Sequence, residues 1–315
     1  MRSVFWADGR SRSSYLSFGD VVVFDVTYKT NHLSLPFAPF TGVNHHRQSI
    51  LFGCALLADE QEDTFIWLFT QWLKCMHGVA PKAIITDQDA QIGGAIKQWY
   101  RASTIHACEE RWKILKEKFN IDENIDSWLI RMYRLRAHWV DAYLKDMFWA
   151  GMTTSQRSES INAFSDGYVN TKTRLVDFVC QYDKALANRR ASESREDFMT
   201  LNIVPAMLLR HPIEVQVSKL YTRGIFKMFQ DELTNGLSLF HEEMLKEETK
   251  IIYLVGDFSE EREKWEEVTY DKSRELKFKC SCALFETDGI LCRHILHIIW
   301  LLQLTAIPDN YILHR

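Results

Sequence analysis

Four metal-binding side chains crowd into the short stretch FKCSCALFETDGILCRHILHII, near the end of a chain of 315 residues. Cys280 and Cys282 form a Cys-x-Cys pair, nine residues intervene, and Cys292 and His294 form Cys-x-His. Three thiolates and one imidazole are the donor set of a closed, tetrahedral structural zinc site. Thr287-Asp288-Gly289 reads as a turn between the two pairs, folding the chain back so that all four donors reach one ion. Without a metal, Cys280 and Cys282 would be free thiols on a strand and His294 a solvated helix residue. The spacing favours the ion.

Three carboxylates offer a second chemistry. Asp25 interrupts the apolar run VVVFDVTY, where a charge is costly to bury without a partner or a metal. Asp87 follows KAIIT, at the sheet edge where sites in α/β folds form. Glu159 falls in QRSESIN, in an expected helix. Brought together, they would hold two magnesium ions that clamp the attacking and leaving oxygens of a phosphodiester. Strand-end caps and a salt-bridged helix residue would leave the same pattern, so pattern alone keeps both readings open.

These side chains need a scaffold. Strands are expected over 20–28, 35–44 and 49–58, a helix over 62–77, a strand over 82–86, a helix over 89–100 and a strand over 104–108. That order fits an α/β, ribonuclease-H-like core in which the first and fourth strands are neighbours, so that Asp25 and Asp87 can meet. From Arg111 the chain reads as largely helical, with segments at 128–149, 158–166, 175–189 and 224–248. Strand patterns at 251–255, 265–270 and 275–279 lead into the cysteines. The expected division is a core over 1–120, a helical region completing it over 121–255 and a zinc region over 256–315, with a boundary in the charged stretch from Gly256 to Lys264.

Composition narrows the function classes. The formal net charge of −4 gives no global electrostatic footprint for nucleic acid, so such binding would need a local patch or a partner. Cys54, Cys75, Cys108 and Cys180 sit in apolar contexts and read as buried thiols of a reducing compartment. The first residues lack the apolar core of a signal peptide, and the run from Ile295 to Ile307 is too short and interrupted to span a bilayer. An intracellular protein without membrane partners is expected.

FGDVVVFDVTYKTN, LPFAPFTGVNHHRQSILFGCALL, KAIITDQDAQI and FWAGMTTSQRSESINAF closely resemble the plant far-red-impaired-response (far-red-elongated-hypocotyl) proteins and their related sequences. The likeness runs from about Phe5 to Leu296. It implies a domesticated Mutator-like transposase, with a ribonuclease-H-type core and a SWIM zinc finger. By matching positions, the resemblance puts the transposase-type acidic triad on Asp25, Asp87 and Glu159, read as vestigial, and the zinc ligands on Cys280, Cys282, Cys292 and His294. It implies structural zinc, with magnesium only if the triad is active. It also implies a nuclear transcription regulator rather than an enzyme, with DNA or chromatin and full-length relatives as partners. The alternatives are an active DDE transposase and a truncated interaction partner of full-length relatives.

The pattern departs from the family in three places. Relatives begin with a separate zinc-dependent DNA-binding module, whereas this sequence starts in the transposase-like region, so the resemblance by itself does not carry direct sequence-specific DNA binding over to it. HACEERWKIL has Cys108 and Trp112 but lacks the family's following histidine. The stretch between Phe119 and Trp128 is short, which bears on the placement of Glu159. Of the smaller features, His45-His46 reads as a polar turn, Trp67, Phe69 and Trp72 as a helix core face, and Arg131, Arg134 and Arg136 as a solvated face. Arg189-Arg190 is too short for a nuclear localisation signal.

Overall fold

A computed structural model of the chain describes residues 3–27, 31–86, 89, 91–93, 95–96, 148–152, 172–272 and 277–313. Two sheets organise them. The first contains β1 (Val4–Trp6), β2 (Val21–Phe24), β3 (Phe37–Val43), β4 (Ser49–Leu56) and β5 (Ala83–Ile85), in the order β1-β4-β3-β2-β5. β2, β3 and β4 are buried at every position, which is why β2 reads as a continuous apolar run. β2 pairs antiparallel with β3 and parallel with β5, in the register Val21↔Ala83 to Val23↔Ile85.

Alternate residues of these strands feed cores on opposite faces, with the alternation in β4 shifted at Phe52, where the β3–β4 ladder has a bulge opposite Phe40 and Thr41. Val22, Phe24, Phe40 and Phe52 meet α1 (Gly9–Phe18) and α2 (Glu62–Cys75). Phe65, Leu68, Phe69 and Trp72 form the buried stripe of α2, and Trp72 stacks on Phe40 with ring centroids 4.4 Å apart. Trp67 is only partly buried at the margin. On the other face, Phe37, Cys54 and Leu56 pack against Phe178 of α3 (Leu175–Asn202). That helix runs well past its expected end at Arg189. β1 and α1 are additional to the elements expected from sequence; α1 is largely polar, burying only Ser11, Tyr15 and Phe18.

The second sheet is antiparallel throughout, in the order β6 (Phe240–Lys246), β7 (Lys250–Gly256), β8 (Glu266–Asp271), β9 (Lys277–Cys280). The helix expected over 224–248 is therefore corrected. α5 (Arg223–Gly236) ends at Gly236 and the chain continues as β6. This edge strand is exposed at nearly every position, so it carries no alternation of burial to mark it as a strand. Its ladder with β7 has a bulge between Glu243 and Leu245, and Glu242 pairs with Arg262. The stretch from Gly256 to Lys264, read as a boundary, connects β7 to β8, which pair from Lys250↔Asp271 to Val255↔Glu266. At the opposite edge, the Tyr311 hydroxyl accepts from the Phe278 N–H and donates to the Phe278 carbonyl, both at 2.5 Å.

One core serves α4 (Pro212–Val217), α5, the second sheet, α6 (Leu284–Asp288) and α7 (Arg293–Leu301). Phe226, Phe229 and Leu233 of α5 pack with Ile295, Ile298 and Ile299 of α7 in it. Gly236 allows the close crossing of these helices, since a Cβ there would stand 2.9 Å from the Arg293 carbonyl oxygen. Of the cysteines expected to be buried, Cys54 is buried, Cys75 is half-buried and Cys180 is exposed on α3; Cys108 lies outside the described residues. Helical spacing near apolar neighbours does not by itself decide which side of α3 a residue occupies. Among the described residues, no helix is long and apolar enough to cross a membrane.

Candidate metal centre

β9 ends at Cys280, and the chain turns through Cys282 and Ala283, which takes the left-handed backbone at φ 53°. The short α6 then runs to Asp288, and Cys292 caps the start of α7, its sulfur accepting from the Ile295 N–H at 3.4 Å. His294 lies in the first turn of α7. Two donors thus come from a strand end and its turn, and two from a helix start, held together by the shared core.

The four donor atoms lie within 4.8 Å of one another, and Cys280 Sγ stands 3.7 Å from His294 Nδ1. A sulfur at about 2.3 Å and a nitrogen at about 2.1 Å from one tetrahedral ion would be about 3.6 Å apart. The geometry therefore fits zinc. Electrostatics agree with it. Hydrogen bonding to Cys282 pushes the Cys280 thiol up, and hydrogen bonding to Cys280 pushes Cys292 up. Hydrogen bonds from Cys280 and Cys292 hold Cys282 well below the ordinary thiol range. Three sulfurs this close cannot all ionise alone, whereas a bound divalent cation deprotonates its thiol ligands.

Two supports were not foreseen from sequence. Glu232 of α5 accepts from the Arg293 backbone N–H at 2.7 Å and from its Nη2 at 2.7 Å, fixing the residue between Cys292 and His294. Asp288 receives Arg47 from the turn after β3, at 2.7 Å. Both pairs are far apart in sequence, and no local pattern marks them.

Asp25 lies immediately beyond β2 and is half-buried, and pairing with β3 resumes just after it, where Thr27 bridges Phe37. β5, the strand before Asp87, is the parallel neighbour of β2. Asp87 and Glu159 lie outside the described residues, as do Arg131, Arg134, Arg136 and the expected strand over 104–108.

The chain matches the MULE transposase domain over residues 21–117 and the SWIM zinc finger over residues 266–303. It is 38% identical over 352 aligned positions to Protein FAR1-RELATED SEQUENCE 5 of Arabidopsis thaliana, covering 99% of this chain and 44% of that protein. Protein FAR-RED IMPAIRED RESPONSE 1 of the same plant is 37% identical over 354 positions, covering 100% of this chain and 42% of that protein. The chain belongs to the FAR1-related family. It spans less than half the length of these two relatives. The alignments are longer than the chain, so each FAR1-related protein carries positions with no counterpart here. No solved structure matches it. The SWIM match holds all four zinc donors but starts at β8, whereas the core of this FAR1-related chain begins upstream, at α4. The MULE match includes Asp25 and Asp87 and stops before Glu159.

Proposed function

We propose that this chain belongs to a nuclear, transposase-derived transcription regulator, in which a ribonuclease-H-like sheet is a binding platform and the SWIM finger holds one structural zinc. The observation that carries the reading is likeness along the whole chain to a relative named for an impaired far-red response. The strand order supports the ribonuclease-H-like assignment: three antiparallel strands, β2, β3 and β4, with β5 added in parallel on the free side of β2. A net charge of −4 argues against broad phosphate neutralisation, so contact with DNA or chromatin would run through a local patch or through full-length relatives. A plant reporter assay paired with a strand-cleavage assay tests this. The expected outcome is a nuclear protein whose reporter effect is unchanged by Asp25→Ala, with no cleavage of Mutator-type ends in magnesium or manganese.

A second reading is an active DDE transposase using two magnesium ions at Asp25, Asp87 and Glu159. It is favoured by the β2–β5 register, because Asp25 and Asp87 stand at the same sequence offset beyond the paired Val23 and Ile85. Cleavage that disappears in Asp25→Ala would establish it and overturn the regulator.

A further inference from the structure

The turn between β3 and β4 does more than reverse the chain. Consecutive strand residues point to opposite faces, yet the imidazoles of His45 and His46 converge, with ring centroids 4.2 Å apart. His45 Nε2 lies 2.9 Å and His46 Nε2 2.7 Å from one oxygen, Oδ1 of Asp197 on α3. The backbone is held in this shape. Asn44 Oδ1 accepts from the N–H groups of His46 and Gln48 at 3.0 and 2.9 Å, and Arg47 takes the left-handed backbone at φ 59°. Thr222 Oγ1 donates to the His45 carbonyl at 2.8 Å.

Protein walls one side of the cluster. Phe18 stacks on His45 with centroids 5.3 Å apart, and the His46 side chain is only 3% exposed. The Asp197 carboxylate, 45% exposed, opens the other side to solvent. Glu193, one turn earlier on α3, is engaged by Asn44 Nδ2 at 2.8 Å and leaves Asp197 to the imidazoles.

The three donor atoms lie within 4.8 Å of one another. Donors about 2.1 Å from one ion stand about 3 Å apart at a right angle and about 3.4 Å apart at a tetrahedral angle. The two nitrogen–oxygen distances, 2.9 and 2.7 Å, are close to the first of these. We propose that His45, His46 and Asp197 form a second divalent-cation site, separate from the cysteine centre, binding zinc through two imidazole nitrogens and one carboxylate oxygen. Imidazole favours zinc or its neighbours over magnesium, which selects all-oxygen sites. Three protein ligands leave a coordination position for water, unlike the closed cysteine centre. Partial burial raises the Asp197 carboxyl, but hydrogen bonds from His46 and His45 bring it below its ordinary value, so the carboxylate form that a metal needs prevails at neutral pH. An ion there would fasten the β3–β4 turn to α3.

The test is metal stoichiometry on the full chain, reduced, equilibrated with excess zinc and freed of loose metal. Two zinc ions per chain are expected for the native protein and one for His46→Gln and Asp197→Asn. Cobalt loading separates the centres, because only the cysteine centre gives a thiolate-to-cobalt charge-transfer band. That band should survive in Asp197→Asn and vanish in Cys292→Ser. Should His46→Gln fail to fold, Asp197→Asn decides, since it keeps a hydrogen-bonding group at a partly exposed position. One zinc in the native protein, or a second zinc that persists in Asp197→Asn, overturns the proposal.

Discussion

Arg47 Nη2 lies 2.7 Å from Asp288 Oδ1, and this contact joins the first sheet to the zinc finger. Arg47 belongs to the turn after β3, while Asp288 closes α6 between the two pairs of zinc donors. Both side chains are 18% exposed, so the pair is mostly shielded from water. Nearby, the Trp149 N–H donates to the Thr287 carbonyl at 2.8 Å, adding a backbone link to the same loop.

A double-mutant cycle should resolve this link. Arg47→Ala and Asp288→Ala are each expected to destabilise the chain, with a coupling energy of about 0.5–3 kcal/mol between them. Urea unfolding of the two single variants and the double variant measures it. Strictly additive losses would mean that the contact contributes nothing specific.

Gly151 sits against the same pair. Its φ is 69°, and a Cβ there would stand 2.6 Å from Arg47 Nη1 and 2.9 Å from Asp288 Oδ1. Gly151→Ala is therefore expected to cost about 1–2 kcal/mol from backbone strain, with a further loss from displacing the ion pair. Thermal unfolding compared with Arg47→Ala tests it; a melting temperature equal to the native one would refute the crowding.

Zinc removal should reach beyond the SWIM segment. Cys292→Ser is expected to release the finger's ion and to loosen α5 as well, because Phe226, Phe229 and Leu233 share a core with α7. Hydrogen exchange over α5, measured alongside zinc content, checks both parts. Protection in α5 that survives loss of the ion would show that the helix folds independently of the finger.

Glu214 predicts an acid limit. Its fully buried carboxylate accepts from the N–H groups of Leu208, Leu209 and Arg210 and from Gln230 Nε2, at 2.7 to 3.0 Å. Burial raises the carboxyl, but the Leu208, Gln230, Leu209 and Arg210 hydrogen bonds outweigh it and leave Glu214 below its ordinary 4.5. A depressed carboxyl stabilises the fold above its unfolded value, and that contribution fades as pH falls from 4.5 through the folded value. Glu214→Gln should cost about 1.5–3 kcal/mol at neutral pH and flatten the loss of stability on acidification. An unchanged pH profile would assign the acid limit elsewhere.

Much of this architecture was legible in the chain because burial leaves a mark. β2 is buried on both faces and reads as an unbroken apolar run, and α2 shows its stripe at helical spacing. The cysteine centre was legible because its four donors lie close in sequence and only a turn separates the pairs. β6 was misread because an exposed edge strand owes its conformation to pairing with β7, not to its own pattern. His45 and His46 read as a polar turn, and they do form one. Their convergence depends on Asp197, more than a hundred residues away, which no spacing rule connects to them. Arg47–Asp288 and Glu232–Arg293 were hidden for the same reason.

Tyr311 has a consequence for how the second sheet behaves in a crowded solution. A sheet margin normally presents unpaired N–H and C=O groups that can template another chain. At β9 one phenolic hydroxyl occupies both such groups of Phe278. At β6 the bulge near Glu243 and the charges of Glu242, Glu243 and Lys246 make a poor template for further strands. The finger thus ends its own sheet at both margins by different chemistry, and at the β9 margin the capping residue lies outside the matched SWIM segment.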